Sequence, residues 1–302
     1  MAPYDFLEAH QQTTLRTSLL ACLLLLVGCG GGEPEESAAP APEATETNSE
    51  TSLKLYIFDC GRLGVDSPVG FSIQDDETDV RELASPCYIV DHPDGRMLWD
   101  AGLPSSLAGV EEGDGNQRLD RTLADQLAEL DLGFDLNSLD YMAFSHMHFD
   151  HVGAANDVSG ATWLVQQVEH EAMFAETISV PATQPDLYEN LRDAEHVLLN
   201  GDHDVFGDGR VRILSAPGHT PGHQVLFLDL AETGPLVLSG DLYHFRLSRE
   251  ERRVPVFNVD EQMTRESMER VESFVAEVGA TFWIQHELAL FQQLNTAPAY
   301  YE

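Results

Sequence analysis

The stretch Ser145-His146-Met147-His148-Phe149-Asp150-His151-Val152-Gly153-Ala154 packs three histidines and an aspartate into six residues. Imidazole and carboxylate together, with no thiolate, suit zinc and other divalent first-row ions. His146 and His148 alternate with Met147, so in extended or tight-loop backbone both rings can point to one side and clamp a cation. Asp150 and His151 follow and can turn toward a second position. Three further residues of the same chemistry stand apart: His219 in "APGHTPGH", Asp241 after "LVLSG" and His286 after "TFWIQ". Proline and glycine on both sides of His219 favour a tight turn with the ring presented. A carboxylate at Asp241 could bridge two ions, and His286 could complete the second site. Any one of these alone would read as a core or surface residue. Seven ligand-type residues in this arrangement read as a metal centre. His223 reads as supporting a ligand or stabilising the turn rather than ligating. Asp100, in "LWDAG", either orients a ligand or merely closes a turn. His10, His92, His170, His196 and His203 have no such context and read as surface residues.

These residues need elements to position them. "LKLYIFD", "PCYIVDH", "RMLWDAG", "LDYMAFS", "TWLVQ", "VRILSAP", "QVLFLDL", "GPLVLSGD" and "ATFWIQHE" read as strands. Leu119, Leu123, Leu127 and Leu130 mark one face of a helix. "VEHEAMFAE" reads as a second helix. A third runs from Val259 to Val278, with Met263, Val271, Phe274, Val275 and Val278 on one side. Strands come in runs with helices between the runs. That predicts an α+β fold: two mixed sheets face to face with helices outside, an αββα sandwich. His146, His219, Asp241 and His286 each lie just past a strand, so loops at one edge of the sandwich could bring them together.

The chain has 302 residues and a formal net charge of −36. Such a surface repels nucleic-acid phosphates and anionic headgroups, and a nucleic-acid partner is not expected. Arg16 precedes "TSLLACLLLLVGC", an apolar run too short to span a bilayer comfortably. Residues 1–29 are therefore expected to be a signal peptide ending at Cys29. Residues 30–50, rich in Gly, Pro, Ala, Glu and Thr, are expected to be a disordered acidic linker. Residues 51–302 form the folded domain. Cys60 and Cys87 are the cysteines that enter it, and sequence alone leaves a disulfide and two buried thiols equally open.

Leu26-Val27-Gly28-Cys29 resembles a bacterial lipobox. That implies a lipid on Cys29 and a lipoprotein of the cell envelope facing the periplasm. Gly30 in place of an aspartate inclines the expectation toward the outer membrane. "HMHFDH", with His219, Asp241 and His286, resembles the metallo-β-lactamase superfamily from about Leu53 to His286. The flanks "PCYIVDHPDGRMLWDAGL", "LVQQVEHEA", "GDHDVFGDG" and "SGDLYHF" make the likeness strongest to its N-acyl homoserine lactone lactonases. The resemblance implies two divalent ions, zinc foremost, with cobalt, manganese or iron as alternatives. His146, His148 and His219 would hold one; Asp150, His151 and His286 would hold the other; Asp241 would bridge. It further implies a bridging hydroxide that opens a lactone ring, with Asp150 passing a proton to the leaving oxygen. The better-known lactonases place a tyrosine three residues after the bridging aspartate. Here Tyr243 comes at the second position and His244 at the third, so His244 is expected to face the substrate carbonyl, with Tyr243 as the competing candidate. The small-molecule substrate is thus an acyl lactone or ester, processed by a monomer or a homodimer. Phosphotriester hydrolysis is the alternative activity, and a non-catalytic lipid-anchored metal-binding protein the remaining one. Asp241 counts against exported β-lactamases. The short tail after His286 counts against glyoxalase II, and the acidic surface against nucleases.

Overall fold

The structure, a computed structural model, describes residues 52–110 and 116–302. The expected signal peptide and linker, with His10, Cys22 and Cys29, lie outside the described residues. Among the described residues no helix is long and apolar enough to cross a membrane.

Two sheets carry the domain. The first runs through β1 (Lys54–Gly64), β2 (Glu82–His92), β3 (Gly95–Trp99), β5 (Tyr141–Ala143), β6 (Thr162–Gln166) and β7 (His196–Leu199) in spatial order. The short strands β4 (Gln117–Arg118) and β13 (Tyr300–Tyr301) also pair with β1. The second has the order β12 (Thr281–Trp283), β11 (Gly234–Leu238), β10 (Gln224–Leu230), β9 (Val211–Ser215), β8 (His203–Asp204).

The period-two alternation of strand side chains builds the layers. In β1, Leu55 and Ile57 enter the core between the sheets, while Tyr56, Phe58 and Cys60 enter the core beneath the outer helices. Leu226 and Leu228 of β10 meet the inter-sheet core, and Val225 and Phe227 face the opposite way, toward α4. Helices α1 (Leu123–Leu130) and α2 (Gln167–Met173) contribute to the core outside the first sheet, and α4 (Glu261–Val278), which follows the short α3 (Arg246–Glu251), to the core outside the second. This is the expected αββα sandwich.

Details differ from expectation for local reasons. Thr122 caps α1, its hydroxyl accepting from the Asp125 N–H at 3.0 Å, so Leu119 is buried ahead of the helix rather than on it. Asp260 caps α4 in the same way at 2.8 Å. The packed stripe of α4 is Thr264, Met268, Val271 and Val275, at spacings of four, three and four. Met263 falls outside that stripe and is 40% exposed. His92 is not a surface residue: it is 4% exposed, stacks on Phe206 at 4.1 Å and bonds Asp208 at 3.0 Å.

Cys60 and Cys87 form a disulfide joining β1 to β2, 27 residues apart in sequence. The crosslink restricts the unfolded chain by about 3.5 kcal/mol. The double variant Cys60→Ala/Cys87→Ala is expected to lose stability on that scale, read as a lowered denaturation midpoint; an unchanged midpoint would assign the bridge no stabilising role.

Candidate metal centre and active site

β5 runs parallel to β3, and β12 parallel to β11, so the loops leaving these strand pairs emerge at matching ends. Hydrogen bonds then draw those loops together. Gln224 N–H donates to the Ser145 carbonyl (2.9 Å), Ala101 N–H to His151 (2.7 Å) and Ala84 N–H to His286 (3.1 Å). Two glycines are required immediately ahead of ligand-type residues. Gly218, at φ +128°, lies so close to α4 that a Cβ would sit 2.3 Å from the Thr264 nitrogen. Gly240, at φ +47°, would place a Cβ 2.7 Å from His223 Nε2.

All seven expected ligand residues are buried and converge. His146, His148, His219 and Asp241 present ligand atoms within 4.8 Å of one another, as do Asp150, His151 and His286. Asp241 stands between the groups. Its Oδ2 is 3.1 Å from His219 Nε2 and 3.4 Å from His146 Nε2. Its Oδ1 is 2.8 Å from His286 Nε2 and 3.1 Å from His151 Nε2. One carboxylate oxygen therefore faces each group.

The hydrogen bonds around the rings fit divalent cations. His286 donates Nδ1–H to the Ala84 carbonyl at 2.6 Å. His219 donates to Asn258 Oδ1 at 2.9 Å, and Asn258 is held that way round because its amide donates to Thr264 Oγ1. His151 Nδ1 lies 3.0 Å from Asp100 Oδ2, and His146 Nδ1 lies 3.0 Å from Ser145 Oγ. Each ring spends its Nδ1 proton outward, which leaves the Nε2 lone pair pointing inward. Lone pairs then meet lone pairs: His219 Nε2 lies 3.1 Å from both His146 Nε2 and His148 Nδ1, and His151 Nε2 lies 3.2 Å from His286 Nε2. Apart from the facing His286 and His151 rings, buried Asp241 Oδ1 has no partner. Converging nitrogen lone pairs beside an unspent carboxylate oxygen are what a divalent ion satisfies.

The electrostatics agree. Burial, then the neighbouring imidazoles, hold His146 and His148 well below the usual histidine range, so both rings stay neutral. Burial opposes charge on Asp241 too, but His244, His286, His151 and His146 outweigh it and keep the carboxyl ionised. At His151 and His286 burial is outweighed by Asp241 and its fellow carboxylates, and both rings are raised. Their raised basicity reflects how strongly this end of the site attracts positive charge.

The supporting residues are now identifiable. Asp100 orients rather than merely closing a turn: besides His151 it accepts from the Ser145 N–H at 2.6 Å and the Gln285 amide at 2.8 Å. His223 donates to the Ala216 carbonyl and accepts from the Asp241 N–H at 2.9 Å; burial depresses its pKa to about 3, so it remains a neutral acceptor. His244 joins the site, with Nε2 2.9 Å from Asp241 Oδ2 and the ring stacked on His286. Tyr243 does not. Its side chain turns into the core under α4, against Phe282, and its hydroxyl accepts from Arg252 at 3.0 Å. Adjacent residues in this extended turn point to opposite sides, which separates the two candidates.

Sequence reasoning missed Glu169. It is buried on α2, and accepts from the Met147 N–H at 2.9 Å and the Gly222 N–H at 2.6 Å. One carboxylate thereby ties the His146–His148 loop to the His219 loop. Nothing local marks it, because a glutamate in an amphipathic helix normally faces water. Glu169→Gln would set an amide N–H₂ against a backbone donor. It is expected to weaken metal affinity at the His146–His148–His219 group by ~10–100-fold while sparing the other group. Chelator titration followed by metal analysis reads the two affinities separately.

The centre forms the floor of a cleft of about 520 Å³. Leu63, Val65, Phe71, Phe149, Pro181 and Phe257 supply apolar walls, and His148, Asp150, Asp241, His244 and His286 the polar floor. Few polar groups at the base of an apolar cleft suit a small amphiphilic molecule.

Known proteins resemble this chain in sequence and fold. N-acyl homoserine lactonase AttM of Rhizobium johnstonii is 28% identical over 271 residues, spanning 83% of this chain and 99% of the relative. N-acyl homoserine lactonase AiiA of Bacillus thuringiensis subsp. kurstaki is 26% identical over 261 residues, with the same coverages. A solved quorum-quenching N-acyl homoserine lactone hydrolase superposes with a TM-score of 0.71 at 25% identity, covering 83% of this chain and 98% of that one. AidC, a dizinc quorum-quenching lactonase, shares the fold at a TM-score of 0.56 and 17% identity, over 78% of this chain and 88% of its own. The family model of the metallo-beta-lactamase superfamily matches residues 80–278. A match over most of the folded domain, ending in the helix that follows the His219 loop and Asp241, makes this chain a member of the metallo-β-lactamase superfamily.

Proposed function

We propose that this protein is a dinuclear metal-dependent hydrolase that opens the lactone ring of N-acyl homoserine lactones. The observation that carries the reading is the split carboxylate of Asp241, with one oxygen toward each histidine group at the floor of an apolar cleft. His146, His148 and His219 would hold one ion, Asp150, His151 and His286 the other, with Asp241 common to both. When bound, two divalent cations, zinc foremost, supply an acidified water and polarise an acyl oxygen. The chain's own residues do the rest. Phe71, Phe149 and Phe257 bury the acyl chain and exclude water. Asp150, 3.5 Å from His286 and 3.6 Å from His151, stands at the cleft floor to carry a proton to the leaving ring oxygen. His244 lines the same cleft and contacts the substrate. The resulting role is signal degradation, or quorum quenching.

We further propose that the enzyme acts at the cell envelope, tethered through Cys29. The support is the lipobox-like LVGC at residues 26–29 and the Gly-, Pro-, Ala-, Glu- and Thr-rich stretch after it, which has almost nothing to bury. An anchored hydrolase would meet amphiphilic acyl lactones as they cross.

The test is the purified, metal-replete protein assayed on lactones, phosphotriesters, thioesters and β-lactams, with metal content measured on the same sample. Two ions per chain and preferred lactone hydrolysis are expected. At most one ion rejects the dinuclear site. Efficient phosphotriester cleavage without lactone hydrolysis moves the protein to the alternative activity. Cys29→Ser should shift the protein from the membrane to the soluble fraction; wild type already soluble with Met1 intact rejects the anchor.

A further inference from the structure

A second cleft reaches the same centre. Its volume is about 400 Å³, and it shares Leu83, His244 and His286 with the first. Leu83 lies between the two as a common wall. Beyond the shared residues the linings differ: the first is aromatic, while Phe245, Leu288 and Ala289 line the second. Charged residues line it too: Arg246 pairs with the largely buried Glu287, Arg81 is tied to the Thr78 and Val80 carbonyls, and Glu82 stands beside Leu83. The apolar surface given by Val80, Leu83, Phe245, Leu288 and Ala289 suits an uncharged alkyl group, and His244 and His286 set its base at the reacting centre.

An N-acyl homoserine lactone has one long arm, attached on the acyl side of the bond that breaks. It fills one cleft and leaves the other without an occupant. Building on the lactonase reading, we propose that the second cleft is a subsite for an alkyl arm on the leaving-oxygen side. The additional substrates are lactones alkylated at the ring carbon that bears the ring oxygen, together with esters of medium-chain alcohols. The reaction balances as ordinary hydrolysis. Hydroxyl from water bonds to the acyl carbon, the acyl carbon–oxygen bond breaks, and a proton goes to the leaving oxygen. A lactone gives a hydroxy acid whose alcohol carbon carries the arm; an ester gives a carboxylic acid and the free medium-chain alcohol.

Each methylene buried in an apolar subsite is worth about fourfold in kcat/KM. The experiment compares two substrate series on the metal-loaded full-length enzyme: γ-butyrolactones with ring-carbon alkyl chains of increasing length, and N-acyl homoserine lactones of increasing acyl length. For wild type, kcat/KM is expected to rise along both series. Ala289→Trp, which fills the second cleft from an exposed position on α5 (Leu288–Phe291), should abolish the rise along the alkyl series and leave the acyl series within about twofold. Ala289→Leu should give an intermediate loss. A flat alkyl series in wild type, or equal effects of Ala289→Trp on both series, overturns the subsite. A loss confined to the acyl series would place the acyl chain in the second cleft and likewise overturns it. Hydrolysis of neither series rejects the lactonase reading itself, a different result from failure of the subsite alone.

Discussion

Asp241→Asn is expected to abolish turnover, because on the proposed dinuclear reading a single isosteric change removes the carboxylate that both ions would share. The carboxylate offers one oxygen to His146 and His219 and the other to His151 and His286. Asparagine keeps one acceptor and replaces the other oxygen with an N–H₂ group. If that group faces His286 and His151, it donates into lone pairs that should face a cation. If it faces His219 and His146, it does the same on the other side. Charge compounds the geometry, because the six remaining ligand residues would then include Asp150 as their one carboxylate. Losing a single donor to developing charge typically costs ~10²–10³ in rate. Losing the group shared by both ion positions should exceed that, with kcat/KM down by more than about 10³ and metal content below two per chain. The fold should persist, since Asp241's backbone N–H still donates to His223 and Gly240 still fits the turn. Circular dichroism and elemental analysis of the same preparation check both halves. Two tightly held ions in Asp241→Asn, with near-normal rate, would remove Asp241 from the bridging role.

The convergence of His146, His148, Asp150, His151, His219, Asp241 and His286 was legible because metal binding demands residue types that strands otherwise avoid at their buried ends. His146, His219, Asp241 and His286 interrupt apolar runs at the point where each run leaves its sheet, and that interruption is local in sequence. The layers were legible for the same reason: alternation in "LKLYIFD" and "QVLFLDL" predicts two faces, and both faces are buried. What escaped was non-local. Glu169 and Gln285 act through partners 22 to 185 residues away, and nothing in "VEHEAM" or "WIQHE" announces those partners. His92 was misplaced because its burial comes from Phe206 and Asp208 across the sandwich. The short strands β4, β7, β8 and β13 lack an alternating pattern long enough to register. The disulfide needed the β1–β2 register, which opposes Phe58 to Cys87 and brings the bridged Cα atoms to 5.6 Å.

His244→Ala is expected to retain both ions and lose ~10²–10³ in kcat/KM, while Tyr243→Phe stays within about threefold. Burial lowers the His244 pKa against the pull of Asp241, so the ring is neutral and carries one proton. That proton sits on Nε2, aimed at Asp241 Oδ2, beside the position where an acyl oxygen would arrive. The same N–H can be shared with that oxygen as negative charge builds on it. Nδ1 is then an acceptor, buried and without a protein partner. The donor contact strengthens toward the transition state, so its loss should appear in kcat more than in KM. Tyr243→Phe removes only a hydroxyl that accepts from Arg252 beneath the turn, a contact the reacting atoms never touch. Tyr243→Phe crippled beside a near-normal His244→Ala would reverse the assignment, and loss of metal in His244→Ala would recast His244 as part of the ion-holding set with Asp241 and His286.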